Sequence, residues 1–169
     1  MKKLLKVVSN VLVIFVVVLF FLLHGTRLLG IEPYTVLSGS MESVYPTGSI
    51  IYVKAVDEEK LQENDVITFK MSNGTIATHR IIELVQDENN PHTVLFRTKG
   101  DENKIADGTL VNKSDVIGSP IFCIPLLGFF ATYIAYPPGK YVAVSVAVSF
   151  ILIEIIIGIL LDDKKAKSK

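Results

Sequence analysis

Two apolar runs, one toward each end, constrain this chain more than any other feature. Leu4 to Leu23 reads LLKVVSNVLVIFVVVLFFLL, and from Val11 to Leu23 it carries no polar side chain. Tyr141 to Leu161 reads YVAVSVAVSFILIEIIIGILL, with Glu154 as its one charged residue. A helix needs about 20 apolar residues to cross a hydrocarbon core of about 30 Å, and both runs reach that length. The first run could instead be a cleavable leader, but His24-Gly-Thr-Arg27 follows it and offers no small-x-small cleavage site. The second could be a buried soluble helix, but it lacks the polar face such a helix needs. Both runs therefore read as membrane spans.

The flanking charge sets an orientation. Lys2, Lys3 and Lys6 begin the chain, and Lys164, Lys165, Lys167 and Lys169 follow the second run. Basic residues favour the cytoplasmic side, so both termini are expected there, in a multi-pass protein of the cell membrane. Three parts follow: 1–27 as tip and anchor, 28–136 as an extracytoplasmic domain, and 137–169 as a second helix with a basic tail. Glu154 is costly in lipid. Asn10 lies at a comparable depth in the first span, so Glu154 either bonds Asn10, is simply tolerated or faces a partner.

Between the spans the pattern is mainly β. Ser49 to Lys54 (SIIYVK), Asp65 to Lys70 (DVITFK), Thr75 to Val85 (TIATHRIIELV) and Thr93 to Thr98 (TVLFRT) are short runs rich in β-branched residues. Asn73-Gly74 is a tight-hairpin signal. Asp87 to His92 and Gly100 to Gly108 read as polar loops. Val116 to Tyr136 is apolar but broken by Pro120, Pro125 and glycines, so it is expected as a core strand followed by a membrane-facing stretch that includes Phe129 and Phe130. The formal net charge is zero, which gives no electrostatic case for nucleic acid. The single cysteine, Cys123, excludes an internal disulfide and a cysteine-rich metal site.

The domain also holds the parts of a serine hydrolase. Such an enzyme needs a nucleophile, a base and a group that orients the base. In Val36 to Val44 (VLSGSMESV), Ser40 is the candidate nucleophile, and Gly39 beside it permits an unusual backbone angle and close substrate approach. The Ser38 hydroxyl and the Ser40 backbone N–H could receive a developing oxyanion. His79, on a strand face shared with Thr75, Ala77 and Ile81, is the stronger candidate base, and His92 in a polar loop the weaker. Lys99 to Asp107 (KGDENKIAD) offers Asp101 and Asp107 as orienting acids, and lacks the alternating oxygen ligands of an EF-hand loop.

Together these fragments resemble the type I signal peptidases. Ser-Gly-Ser-Met-Glu at 38–42, with Gly48 downstream, resembles their nucleophile box. Thr78-His79-Arg80-Ile81 is similar to the second box of the ER-type branch, which includes the SipW-like enzymes; the ordinary bacterial branch has lysine where His79 stands. Lys-Gly-Asp-Glu-Asn with Asp107 resembles the third box, and Val116-Ile-Gly118 with Ile124-Pro125 the segment beyond.

The resemblance implies a small all-β catalytic domain between two transmembrane helices. It implies a membrane-bound serine endopeptidase that removes signal peptides from exported proteins, cutting after small residues at −3 and −1. Carried over by position, Ser40 is the nucleophile, His79 the general base, Asp107 the likelier-placed acid with Asp101 as the alternative or a supporting acid, and Ser38 the oxyanion donor. No metal or cofactor is expected. The implied partners are signal peptides, the bilayer and the export translocon. The chain departs from the family in two places: Ser43 stands where proline usually follows Ser-Met-Glu, and Glu102 replaces the usual Asn. Competing readings are a processing peptidase for a narrow set of surface or fibre subunits, a non-catalytic two-span receptor or assembly factor for surface proteins, and a Ser–Lys peptidase using Lys70 or Lys54.

Overall fold

The computed structural model describes residues 2–87 and 90–166. Its elements are α1 (Lys2–Leu23), β1 (Ile31–Thr35), β2 (Ile50–Lys54), β3 (Val66–Lys70), β4 (Ile76–Asp87), β5 (Asn90–Lys99), β6 (Val111–Asn112), β7 (Val116–Ile124), α2 (Leu127–Ala135) and α3 (Gly139–Ala166). Short 3-10 turns stand at Gly25–Leu29, Gly39–Met41, Glu58–Lys60 and Lys113–Asp115. The chain divides into two compact units. One is Leu23–Phe129, and the other holds the helical stretches on either side of it.

The first unit is mainly β, as its sequence pattern implies. Seven antiparallel strands run in the order β1-β2-β7-β3-β4-β5-β6. Strand β7 changes partner along its length: Val116 and Gly118 face β3, while Ser119 to Ile124 face β2. Gly118 stands at that change, and a Cβ there would lie 2.1 Å from the Lys54 carbonyl oxygen. Only glycine allows so close an approach. Leu61, Ile67, Phe69, Ile81, Phe96 and Val111 form the core between the strands from β3 onward.

Several expectations hold and others shift. The Asn73-Gly74 hairpin is present, with Gly74 at φ 84° and its N–H donating to the Met71 carbonyl at 2.8 Å. Strand β1 is additional to the expected strands. Its Pro33 lacks a donor and so weakens the pattern, but β1 is an edge strand, where proline is tolerated. The expected 87–92 loop is shorter, because β4 continues to Asp87 and β5 begins at Asn90. Pairing outruns the core there, and exposed residues such as Glu83 and Gln86 cost nothing on a solvated arm. Beyond β7, the apolar stretch becomes α2. The side chains of His92, Glu154 and the terminal lysines lie outside the described residues.

In the second unit, α1 and α3 expose apolar side chains along their described lengths, among them Phe15, Phe20, Val146 and Ile151. Among the described residues no single helix is long and apolar enough to cross a membrane; Val7–Leu23 is a shorter apolar helix. Leu127–Ala135 and Gly139–Ile153, bent by 91°, have that length and composition as a pair.

Gly48 joins the nucleophile segment to the rest of the β unit. It has φ 81°, and a Cβ there would lie 2.0 Å from the Phe129 ring. Gly74 has φ 84° but open space around it. Gly48→Ala is expected to destabilise the domain well beyond Gly74→Ala, which carries only the left-handed backbone cost of about 1–2 kcal/mol. Thermal unfolding followed by circular dichroism checks this; equal losses would mean that the Phe129 ring simply moves aside.

Candidate active site

Ser40 lies in the 3-10 turn Gly39–Met41, entered from Ser38 in extended backbone. The turn is held from inside by Met41, which is buried and whose carbonyl accepts from Val44 and Tyr45 N–H at 3.0 and 2.7 Å. The Glu42 carboxylate accepts from the Thr47 N–H at 2.9 Å and the Thr47 hydroxyl at 2.6 Å, closing the 42–47 loop. These bonds, the hydroxyl's first, hold the Glu42 carboxyl below its ordinary range. Ser43, where the family usually has proline, therefore sits in a loop braced by side-chain bonds.

His79 projects from β4 opposite Ile67 of β3, beside the core residue Ile81. The Phe69 ring meets its imidazole edge-on at 6.2 Å between centroids. His79 Nδ1 lies 2.6 Å from Asp107 Oδ2, and its Nε2 lies 3.1 Å from Ser40 Oγ. A carboxylate only accepts, so Nδ1–H donates to Asp107 and Nε2 is left to accept from the serine hydroxyl. Asp107 is fixed in turn: its Oδ2 accepts from the Thr98 hydroxyl at 2.7 Å, and its N–H donates to the Thr98 carbonyl at 2.9 Å. The His79 and Asp107 side chains are only 12% and 15% exposed, so the pair is largely shielded from water. Ser38 Oγ stands 3.3 Å from Ser40 Oγ on the exposed side.

Asp101 takes a different partner. Arg80 Nε and Nη2 donate to its two oxygens at 2.9 and 2.7 Å, and Arg80 Nη1 donates to the Asn64 carbonyl at 2.8 Å. The guanidinium bonds hold the Asp101 carboxyl below the usual carboxylate range. The exposed Glu102 contributes through its backbone, whose N–H donates to the Ser40 carbonyl at 3.0 Å.

Two glycines exchange importance relative to the sequence reading. Gly39 has no left-handed angle, and a Cβ there would meet Glu42 Oε2 at an ordinary 3.5 Å. Gly100 is the tight one, since a Cβ there would lie 2.6 Å from the Ser40 carbonyl oxygen and 2.8 Å from Ser40 Cβ. Arg80, Thr98, Thr47 and Gly100 were not singled out from sequence as site residues. Only Arg80 and Gly100, embedded in the boxes, carried a signal. Lys54 and Lys70 are exposed on their strands and lie outside the Ser40–His79–Asp107 hydrogen-bond chain.

A groove of about 670 Å³ opens beside Ser38 and His79, lined among others by Tyr34, Leu37, Met41, Tyr45 and Ala77. Burial, then a hydrogen bond to Glu32, pushes the Tyr34 phenol up to about 12. Burial also raises Tyr45. Both phenols therefore remain neutral at physiological pH. Among the described residues no His, Cys, Asp and Glu cluster could hold a metal ion.

The chain is 41% identical over 123 residues to Signal peptidase I W of Bacillus subtilis (strain 168), a match covering 66% of this chain and 63% of that protein. It is 29% identical over 128 residues to the signal peptidase complex catalytic subunit SEC11C of Rattus norvegicus, covering 70% of this chain and 66% of the relative. The human SEC11C subunit is 28% identical over the same length. The chain is a type I signal peptidase homologue of the ER-type, SipW-like branch. It aligns with less than two thirds of the length of these relatives. No family model matches it.

The lowered Asp101 carboxyl has a consequence for acid stability. A depressed carboxylate contributes stability that is present above its unfolded value of about 3.9 and is lost as pH falls through its folded value. Asp101→Asn is therefore expected to lower the unfolding midpoint at neutral pH, with the gap to wild type closing below about pH 4. A gap that stays constant into strong acid would show that the Arg80 pair is not its source.

Proposed function

We propose that this chain is a membrane-bound serine endopeptidase that removes N-terminal signal peptides from exported proteins, cutting after small residues at −3 and −1. The observation that carries the reading is the unbroken hydrogen-bond chain from Ser40 through His79 to Asp107, beside an open groove. A non-catalytic receptor has no use for such a chain. The family relationship supports the substrate class.

In this mechanism the Ser40 hydroxyl attacks the scissile carbonyl while its proton passes to His79 Nε2. Asp107 holds the imidazole in the tautomer that can accept, then stabilises the imidazolium. The Ser40 N–H and the Ser38 hydroxyl take the oxyanion. The imidazolium returns its proton to the leaving amine, and the acyl-enzyme is hydrolysed by water activated by the same base. The site asks nothing of a metal or cofactor. Asp101, engaged with Arg80, serves as a supporting acid.

In the same reading, segments 1–27 and 137–169 anchor the 28–136 domain, with both termini cytoplasmic and the domain outside. The apolar terminal runs, the flanking lysines and the exposed apolar side chains of α1 and α3 support this. The partners are then preprotein signal peptides, the bilayer and the export translocon.

Membranes carrying wild-type protein are expected to cleave a secretory precursor, and Ser40→Ala membranes to leave it intact at equal expression. Cleavage that survives Ser40→Ala would overturn the reading. His79→Ala should be nearly as inactive. Asp107→Asn should lose on the order of 10⁴-fold in kcat, because the imidazole then adopts the wrong tautomer, and Asp101→Asn much less. Equal losses at the two aspartates, measured as initial rates on one precursor, would remove the case for Asp107 as the orienting acid.

A further inference from the structure

Arg80 is the largest polar group near the site that the proposed chemistry leaves unused. It follows His79 on β4, so the two side chains leave opposite faces of the strand. Its guanidinium is nonetheless engaged on three sides. Two N–H groups grip Asp101 in a fork, and a third reaches the Asn64 carbonyl. The loop carrying Asn64 is itself strapped to β4: Asn64 N–H donates to the Ile81 carbonyl, and Ile81 N–H to the Asp65 carbonyl, both at 2.8 Å. The fork is thus mounted on a fixed strand and a fixed loop.

What the fork holds is the turn at Gly100–Asn103, and that turn bears directly on the serine. Asp101 N–H points at the Met41 sulfur, 3.2 Å away, and Glu102 N–H donates to the Ser40 carbonyl at 3.0 Å. Gly100 lies so close that an added Cβ would touch Ser40 backbone and side chain. We propose that Arg80, acting through Asp101, is a positioning residue that locks the Ser40 backbone at its distance from His79. Each half of the hydrogen-bonded pair then has its own acid: Asp107 orients the imidazole, and Asp101 seats the serine.

The inference rests on the peptidase reading, and the fork matters as much as the charge. Arg80→Lys keeps the charge, but an ammonium cannot reproduce the bidentate grip on a carboxylate. The 3.1 Å spacing of Ser40 and His79 is a geometry in which a small displacement is expensive.

The test uses the full chain in membranes, with a signal-peptide precursor as substrate. Arg80→Met is expected to lower kcat roughly tenfold to hundredfold with KM changed little. Arg80→Lys should recover only part of the loss. Asp101→Asn should match Arg80→Met, and the double variant should be no worse than either, because one clamp has been broken twice. Hydrogen exchange supplies a second readout that does not depend on activity: the Glu102 amide, protected by the Ser40 carbonyl, should lose protection in Arg80→Met. A loss confined to KM, full recovery by Arg80→Lys, additive losses in the double variant or unchanged Glu102 protection would each overturn the proposal. If the wild type does not cleave, the peptidase reading fails on its own. The Glu102 amide still decides the clamp: lost protection supports it and unchanged protection sinks it.

Discussion

The site depends on one close approach, that of the Gly100 turn to the backbone of Ser40. A nucleophile and its base come from segments far apart in sequence, and hydrogen-bond distance between them tolerates little error. The base is fixed easily, since it grows from a paired strand whose neighbour Ile81 is fully buried. The serine sits in a short 3-10 turn outside the sheet, and a turn of three residues has little rigidity of its own. It is made rigid by contact. Glycine at 100 lets one backbone press on another, and the Glu102 amide pins the Ser40 carbonyl.

The same segment, Lys99 to Asp107, delivers two carboxylates with opposite assignments. Asp101 faces a permanent cation and Asp107 faces an imidazole. Thr98 helps to separate them. It lies fully buried at the end of β5, and its hydroxyl and carbonyl both bind Asp107. The two acids therefore do not compete for His79, because each is held by a partner unavailable to the other.

Much of this was legible in the sequence and some was not, for identifiable reasons. Strands β2 to β5 were marked by β-branched runs, and the 73–74 turn by Asn-Gly. Ser40, His79 and Asp107 were marked as residue types set in recognisable boxes. The choice between Asp101 and Asp107 stayed open because both lie in one loop, and spacing says nothing about which way a loop folds back. Strand β1 was hidden by Pro33, whose missing N–H costs nothing at an edge. Thr98 was hidden for a different reason: a threonine in a strand is ordinary, and its hydroxyl matters only once Asp107 has folded against it. Gly39 attracted attention as the neighbour of the nucleophile, while Gly100, distant in sequence, is the glycine under steric pressure.

The departure at Ser43 follows the same logic. Proline stiffens a loop by removing backbone freedom before folding. Here Glu42 and Thr47 close the equivalent span after folding, through two hydrogen bonds from amide and hydroxyl to one carboxylate oxygen. The bracing of the 38–47 segment is therefore distributed. Glu42 ties its far end, Met41 fills its underside, and the Gly100 turn presses on Ser40 from outside. No single residue type signals such an arrangement, because its rigidity comes from contacts between segments that become neighbours only when β4 and β5 pair and carry the Gly100 turn back to the serine.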